Sequence, residues 1–170
     1  MRTLLLLRHA KSSWADPTVP DHDRPLAPRG ARAAGRIAVH LRAEGIRPAL
    51  VLCSSARRAQ ETLDALRPAF GETTDVRIEN ELYGADADEI FQRLCAVDGP
   101  VRSVMVVGHN PGLEDLATAL AGDGDETALL QLHTKFPTGA LATLDLRSGW
   151  ARLRQSEAYL TSLVVPRQLR

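Results

Sequence analysis

Three short, uninterrupted apolar runs constrain this chain more than any other feature of it: Leu4–Leu7, Ala49–Cys53 and Val104–Val107. Runs of that length without alternation suit strands buried on both faces, as in a parallel sheet with helices packed on either side. Each run stops abruptly at polar or reactive residues: Arg8-His9, Ser54-Ser55 and Gly108-His109.

Helical patterns fill the intervals. The first runs from about Pro28 to Glu44, with Pro28 in its first turn, Ala34, Ile37, Ala38 and Leu41 on one face, and Gly45 at its end. Ala56 to Leu66 predicts a second helix, Asp86 to Val97 a third, and Pro111 to Leu120 a fourth with Gly122 beyond its end. Strands alternating with such helices predict βαβ crossovers. The expected fold is therefore an α/β three-layer sandwich with a mostly parallel sheet. Ala140 to Leu146 alternates, Ser148-Gly149 signals a turn, and Trp150 to Leu153 is expected to return antiparallel as a hairpin at one sheet edge. The tail from Ser156 reads either as a last strand over Leu163–Val165 or as a docked coil. At 170 residues and 44% hydrophobic content, with no repeat or linker, one domain over residues 1–170 is expected.

Charge narrows the function classes. Lys plus Arg number 21 and Asp plus Glu number 21, so no global field recruits nucleic acid or an anionic membrane, and any affinity for phosphate must be local. Cys53 and Cys95 lie in apolar surroundings without CxxC spacing and read as reduced core residues, which fits a reducing, cytoplasmic setting. Leu4–Leu7 is shorter than the stretch of about 7–15 apolar residues in a signal peptide, and no run approaches the roughly 18 of a membrane span. A cytoplasmic monomer is the expectation.

Ligands of an open parallel sheet bind beyond the carboxyl ends of its strands. The three run ends thus bring two histidines, His9 and His109, towards one crevice, together with Arg8 and the Arg57-Arg58 pair. That set suits phosphoryl transfer, where the protein positions the group and neutralises its oxygens. An arginine fork binds two phosphate oxygens at once. A histidine with an ordinary pKa of about 6.5 is partly uncharged near neutrality and can act as a nucleophile. Arg58, in the first turn of the second helix, adds that helix's free N–H groups. Either arginine of that pair alone would read as a solvated helix charge. The five histidines show no metal spacing such as HExxH, and no Walker-type loop is present, so neither metal nor cofactor is expected.

These residues carry a resemblance. Leu-Leu-Arg8-His9-Ala10-Lys11-Ser12-Ser13-Trp14 resembles the Arg-His-Gly signature of the histidine phosphatase superfamily in its SixA-like form, with Ala10 where much of the superfamily has Gly. Asp23-Arg24-Pro25-Leu26 resembles the Asp-x-x-Arg-Pro-Leu segment of the SixA-type branch. Ser54 to Thr62 matches Ser-x-x-x-Arg-Ala-x-x-Thr, which assigns the phosphate arginine to Arg58 and leaves Arg57 as a solvated helix charge; Val107 to Gly112 matches the third motif, and Phe136-Pro137-Thr138-Gly139-Ala140 resembles a later Pro-Thr-Gly segment. The resemblance implies a phosphoglycerate mutase-like fold. It implies attack on phosphorus by His9, oxygen binding by Arg8 and Arg58, transition-state support from His109, and an additional phosphate contact from Arg24.

Many members of the superfamily place an acidic residue to protonate an alkoxide leaving group. Glu81, after Val76–Ile78, is the loose candidate here, as a substrate-site acid or as a loop charge. The leaving imidazole of phosphohistidine is far less basic than an alkoxide, so a site without a clear acid favours phosphohistidine. The short loops after Trp14 and Tyr83 leave the site open enough for a protein surface. The expected partner is a phosphorylated protein of the histidine phosphotransfer type. Alternatives are a small phosphate ester, hydrolysed with Glu81 as acid, and a non-catalytic phosphate-binding module.

Overall fold

The computed structural model describes residues 1–169. It contains strands β1 (Arg2–Arg8), β2 (Leu50–Ser54), β3 (Asp75–Glu79), β4 (Ser103–Gly108), β5 (Ala121–Gly124), β6 (Leu141–Leu146) and β7 (Ala158–Val164). Its helices are α1 (Pro28–Ala43), α2 (Arg57–Leu66), α3 (Ala87–Cys95), α4 (Gly112–Leu120) and α5 (Glu126–Thr134). One sheet orders the strands β3-β2-β4-β1-β6-β7-β5. Pairing is parallel for β1–β4, β2–β3, β2–β4 and β5–β7, and antiparallel where β6 meets β1 and β7.

The apolar runs are continuous because both faces of the central strands are covered. Leu4, Leu6, Val104 and Val106 pack with Leu94 of α3 and Leu113 and Leu116 of α4. Leu5, Leu7, Met105 and Val107 pack with Ile37 and Leu41 of α1 and Leu63 and Leu66 of α2. Fully burying a leucine or isoleucine side chain contributes roughly 1.5–3 kcal/mol. Pro28 opens α1 and Gly45, at φ +65°, follows its end. A capping box between Asp86 and Glu89 starts α3. Among the described residues, no helix is long and apolar enough to cross a membrane.

The three-layer α/β sandwich and its mostly parallel sheet are as expected, but the return strand is not Trp150–Leu153. Trp150 to Arg152 forms a short 3-10 turn, with the Trp150 ring fully buried and its Nε1 donating to the Val101 carbonyl at 2.7 Å. The chain pairs back only at β7, from the ambiguous tail, with Leu141 opposite Val164. Nor is this pair outermost, because β5 adds beyond β7. Its Ala-Gly-Asp-Gly sequence carries no apolar signal, and its glycines answer to close approach: a Cβ on Gly122 would lie 1.8 Å from the Ser156 carbonyl oxygen. Gly122 therefore belongs to a strand where a helix end was expected, and α5 was not anticipated.

The topology also fixes the place for a site. After β1 the chain crosses through α1 on one face, and after the adjacent β4 through α4 on the other. Connections that diverge from neighbouring strands leave a crevice at their carboxyl ends.

Candidate active site

His9 follows the last residue of β1 and His109 the last residue of β4. Arg8 pairs with Gly108 in register, and the His9 amide donates to the Gly108 carbonyl at 3.0 Å. Parallel pairing thus places the two imidazoles side by side, with centroids 5.1 Å apart. His9 is 7% exposed, and its Nδ1 lies 2.7 Å from the Ala10 carbonyl oxygen. A carbonyl only accepts, so Nδ1 carries the proton and the lone pair sits on Nε2. His109 Nε2 lies 2.7 Å from the Ser54 hydroxyl, at the end of β2.

Burial pushes the His9 ring down to about 3, with the neighbouring His109, Arg58 and Arg8 adding to the effect against the Ala10 carbonyl. Burial, then Arg58, lowers His109 to about 4, with Asp21 opposing. Both rings are uncharged at neutral pH, which leaves His9 Nε2 nucleophilic.

Cations surround them. Arg58, in the first turn of α2 and 6% exposed, donates to the Asp21 carbonyl at 2.7 Å and to its carboxylate at 3.1 Å. Arg24, also 6% exposed, reaches the same carboxylate at 3.1 Å, donates to the Ser12 hydroxyl at 2.6 Å, and stacks 3.6 Å over the Trp14 ring. Arg8 donates to the Phe136 carbonyl at 3.1 Å, which the Asn110 side-chain amide also reaches at 2.9 Å. The Nε groups of Arg8 and Arg58 are buried without a protein acceptor. Buried donors of that kind suit an anion in the crevice.

The sequence therefore locates Arg8, His9, Arg24, Arg58 and His109 on one cavity of about 420 Å³. Glu81 is not among its lining: it is exposed, in a short 3-10 turn. Arg57 is exposed and ion-paired with Glu61 at 2.9 Å, the solvated charge expected. Burial raises Cys53 to about 12, so it carries no thiolate chemistry. A larger concavity of about 620 Å³ lies on the β5–β7 side and contains no histidine. Among the described residues, no group of three or more His, Cys, Asp or Glu side chains is arranged to hold a metal ion.

Asp21 is the functional residue that sequence reasoning missed. With Arg24 fixed, the spacing Asp-x-x-Arg points to Asp21, three residues upstream, which meets Arg24 and Arg58, whereas Asp23 pairs with His22. The Tyr83 hydroxyl donates to the Asp21 carboxylate at 2.5 Å. That bond first, then the two guanidiniums, hold Asp21 at about 2, so it is ionised throughout the neutral range. Tyr83 is thereby a rim residue with a polar bond.

Paired neutral imidazoles among buried guanidiniums, at the switch point of a parallel sheet, form an arrangement chemically suited to phosphoryl transfer. The chain belongs to the histidine phosphatase superfamily (branch 1), whose pattern fits residues 4–92, and it is a phosphatase. It is 39% identical over 163 residues to an uncharacterized protein of Mycobacterium tuberculosis, covering 95% of this chain and 100% of that one. Among solved structures it is similar to a protein from Nakamurella multipartitia provisionally named phosphohistidine phosphatase SixA, at 35% identity and TM-score 0.81, covering 97% of this chain and 96% of that one. A likewise provisionally named SixA from Agrobacterium tumefaciens is 33% identical with TM-score 0.78, covering 97% and 98%. The likeness is to the SixA-type branch, and the fold is phosphoglycerate mutase-like.

Proposed function

We propose that this phosphatase hydrolyses phosphohistidine in proteins, acting as a cytoplasmic monomer on phosphotransfer-type partners. One observation carries the choice of substrate. Asp21 is the carboxylate among the cavity's lining residues, and it is held ionised at about 2. The cavity therefore offers no protonated carboxyl group to an alkoxide leaving group, and Glu81 lies outside it. Imidazole does not need one: when its second nitrogen is protonated it departs neutral, taking the electrons of the P–N bond.

The proposed sequence has two displacements. His9 Nε2 attacks phosphorus, the substrate P–N bond breaks, and a phosphoryl group stays on His9. Water then attacks that phosphorus, inorganic phosphate leaves and the His9 lone pair is restored. Arg8 and Arg58 hold the oxygens, with Arg24 as a further contact, and His109 supports the charge that builds in each transition state. The rim supports a protein-sized substrate, since Trp14 is 69% exposed and Tyr83 36%. The names of the SixA-type neighbours agree with this reading.

The test is phosphate release, without added metal, from a histidine-phosphorylated phosphotransfer domain and from p-nitrophenyl phosphate at equal concentration. Preference for the phosphodomain is expected. Faster hydrolysis of the ester would replace this reading with that of a small-molecule phosphomonoesterase.

A further inference from the structure

We propose that a cationic groove adjoining the catalytic cavity docks the acidic face of the phosphoprotein substrate, an inference that rests on the phosphoprotein reading above. The groove, about 440 Å³, is lined by Lys11, Arg29, Arg36, Lys135 and Arg167 and by no acidic side chain. It is continuous with the catalytic cavity, since Lys11 and Thr138 line both. Among the described residues, none of the five cations takes part in an ion pair. Elsewhere on the surface, Arg57, Arg67 and Arg77 each meet a carboxylate within 3.3 Å. In a chain with 21 basic and 21 acidic residues, an acid-free concavity of five cations is a local concentration of charge and not a result of composition.

Four chain segments are packed together to build it. The Lys11 carbonyl accepts from the Ala27 amide at 2.8 Å, and a Cβ on Gly30 would come within 2.0 Å of that oxygen, so α1 lies directly against Lys11. Gly139, at φ +77°, lets the chain pass Pro166, where a Cβ would lie 2.8 Å from the proline ring, and this brings Arg167 alongside. Lys135 follows the end of α5.

The dimensions decide the occupant. Arg29 and Arg36 are seven residues apart on α1, a rise of about 10.5 Å. That exceeds the reach of one phosphoryl group and matches a row of carboxylates on a partner's surface. Exposed cations of this kind act on encounter and on KM, and their effect fades with salt.

Arg29 and Arg36 are exposed on a helix that glutamate tolerates, so R29E/R36E tests the groove without touching the catalytic cavity. The probes are a histidine-phosphorylated phosphotransfer domain with an acidic surface, and free phosphohistidine. For the phosphodomain at low ionic strength, the double variant is expected to raise KM on the order of tenfold with kcat unchanged. The difference should vanish at about 0.5 M salt, free phosphohistidine should be turned over as by the native protein, and R29Q/R36Q should fall between. An unchanged KM, with the native protein still preferring the phosphodomain, overturns the docking groove and leaves the substrate reading standing. Equal losses on both probes overturn it too, because the charges would then act on the catalytic pocket. A native protein without preference for the phosphodomain overturns the substrate reading, and the docking proposal with it.

Discussion

The two ends of the sheet differ both in construction, one wholly parallel and the other containing an antiparallel pair, and in use. At the β3-β2-β4-β1 end, parallel strands deliver Arg8-His9 and His109 from their carboxyl ends into one cavity, with the buried Ser54 hydroxyl behind His109. The β6-β7-β5 end brings the site Thr138 and main-chain groups, such as the Phe136 carbonyl and the Gly139 amide, and the largest side chain of its β6–β7 connection, Trp150, is fully buried beside Val101. Chemistry is gathered where strands stop facing helices, and cohesion where an aromatic ring fills the gap between elements. Substitutions at the first end should therefore remove activity from a folded protein, and those at the second should unfold an active one.

His9→Ala is the extreme case: phosphate release should vanish while circular dichroism and a cooperative melt are retained, and measurable turnover by the purified variant would sink the mechanism. At the other end, Trp150→Ala should destabilise by about 3–5 kcal/mol, the usual loss for a large buried aromatic, in denaturant titrations. The folded fraction should keep its kcat/KM, and a fall in kcat at full folding would show that the two ends are not separable. Arg58→Ala should lower kcat/KM on the order of 10²-fold with little change in unfolding midpoint. The smallest effect concerns pH. Because His9 titrates at about 3, far below the ordinary 6.5, its nucleophilic form persists as pH falls and is lost only near that value. Corrected for the substrate's own ionisation, kcat/KM should change less than about twofold between pH 7.5 and 5.5. An acid limb centred near 6.5 would mean that the ring is solvated.

Much of the first end was legible because burial on both faces writes itself as unbroken apolar runs, and because reactive residues directly follow them. Arg8, His9 and His109 were found in that way, and Arg58 over Arg57, like Arg24, through resemblance. The second end was obscure for physical reasons. β5 is selected for close backbone approach, so glycines replace the apolar residues that mark strands. Trp150 has the composition of a strand residue, yet its buried N–H is satisfied by a carbonyl within a 3-10 turn. Asp21 was missed because its role is defined by partners distant in sequence, Arg58 and Tyr83. Glu81 follows a strand as a candidate acid would, but its side chain is exposed and does not line the cavity.

Thr62 ties the loop of the proposed nucleophile, His9, to the helix that carries Arg58. Its buried hydroxyl accepts from the Ala10 amide at 3.0 Å and donates to the Arg58 carbonyl at 2.7 Å. The Ala10 amide is therefore shielded from solvent for as long as α2 stays closed, and its hydrogen exchange reports the opening of a helix fifty residues away. Fraying that withdraws Arg58 also releases the strap behind His9, so the two halves of the proposed phosphate grip should fail together.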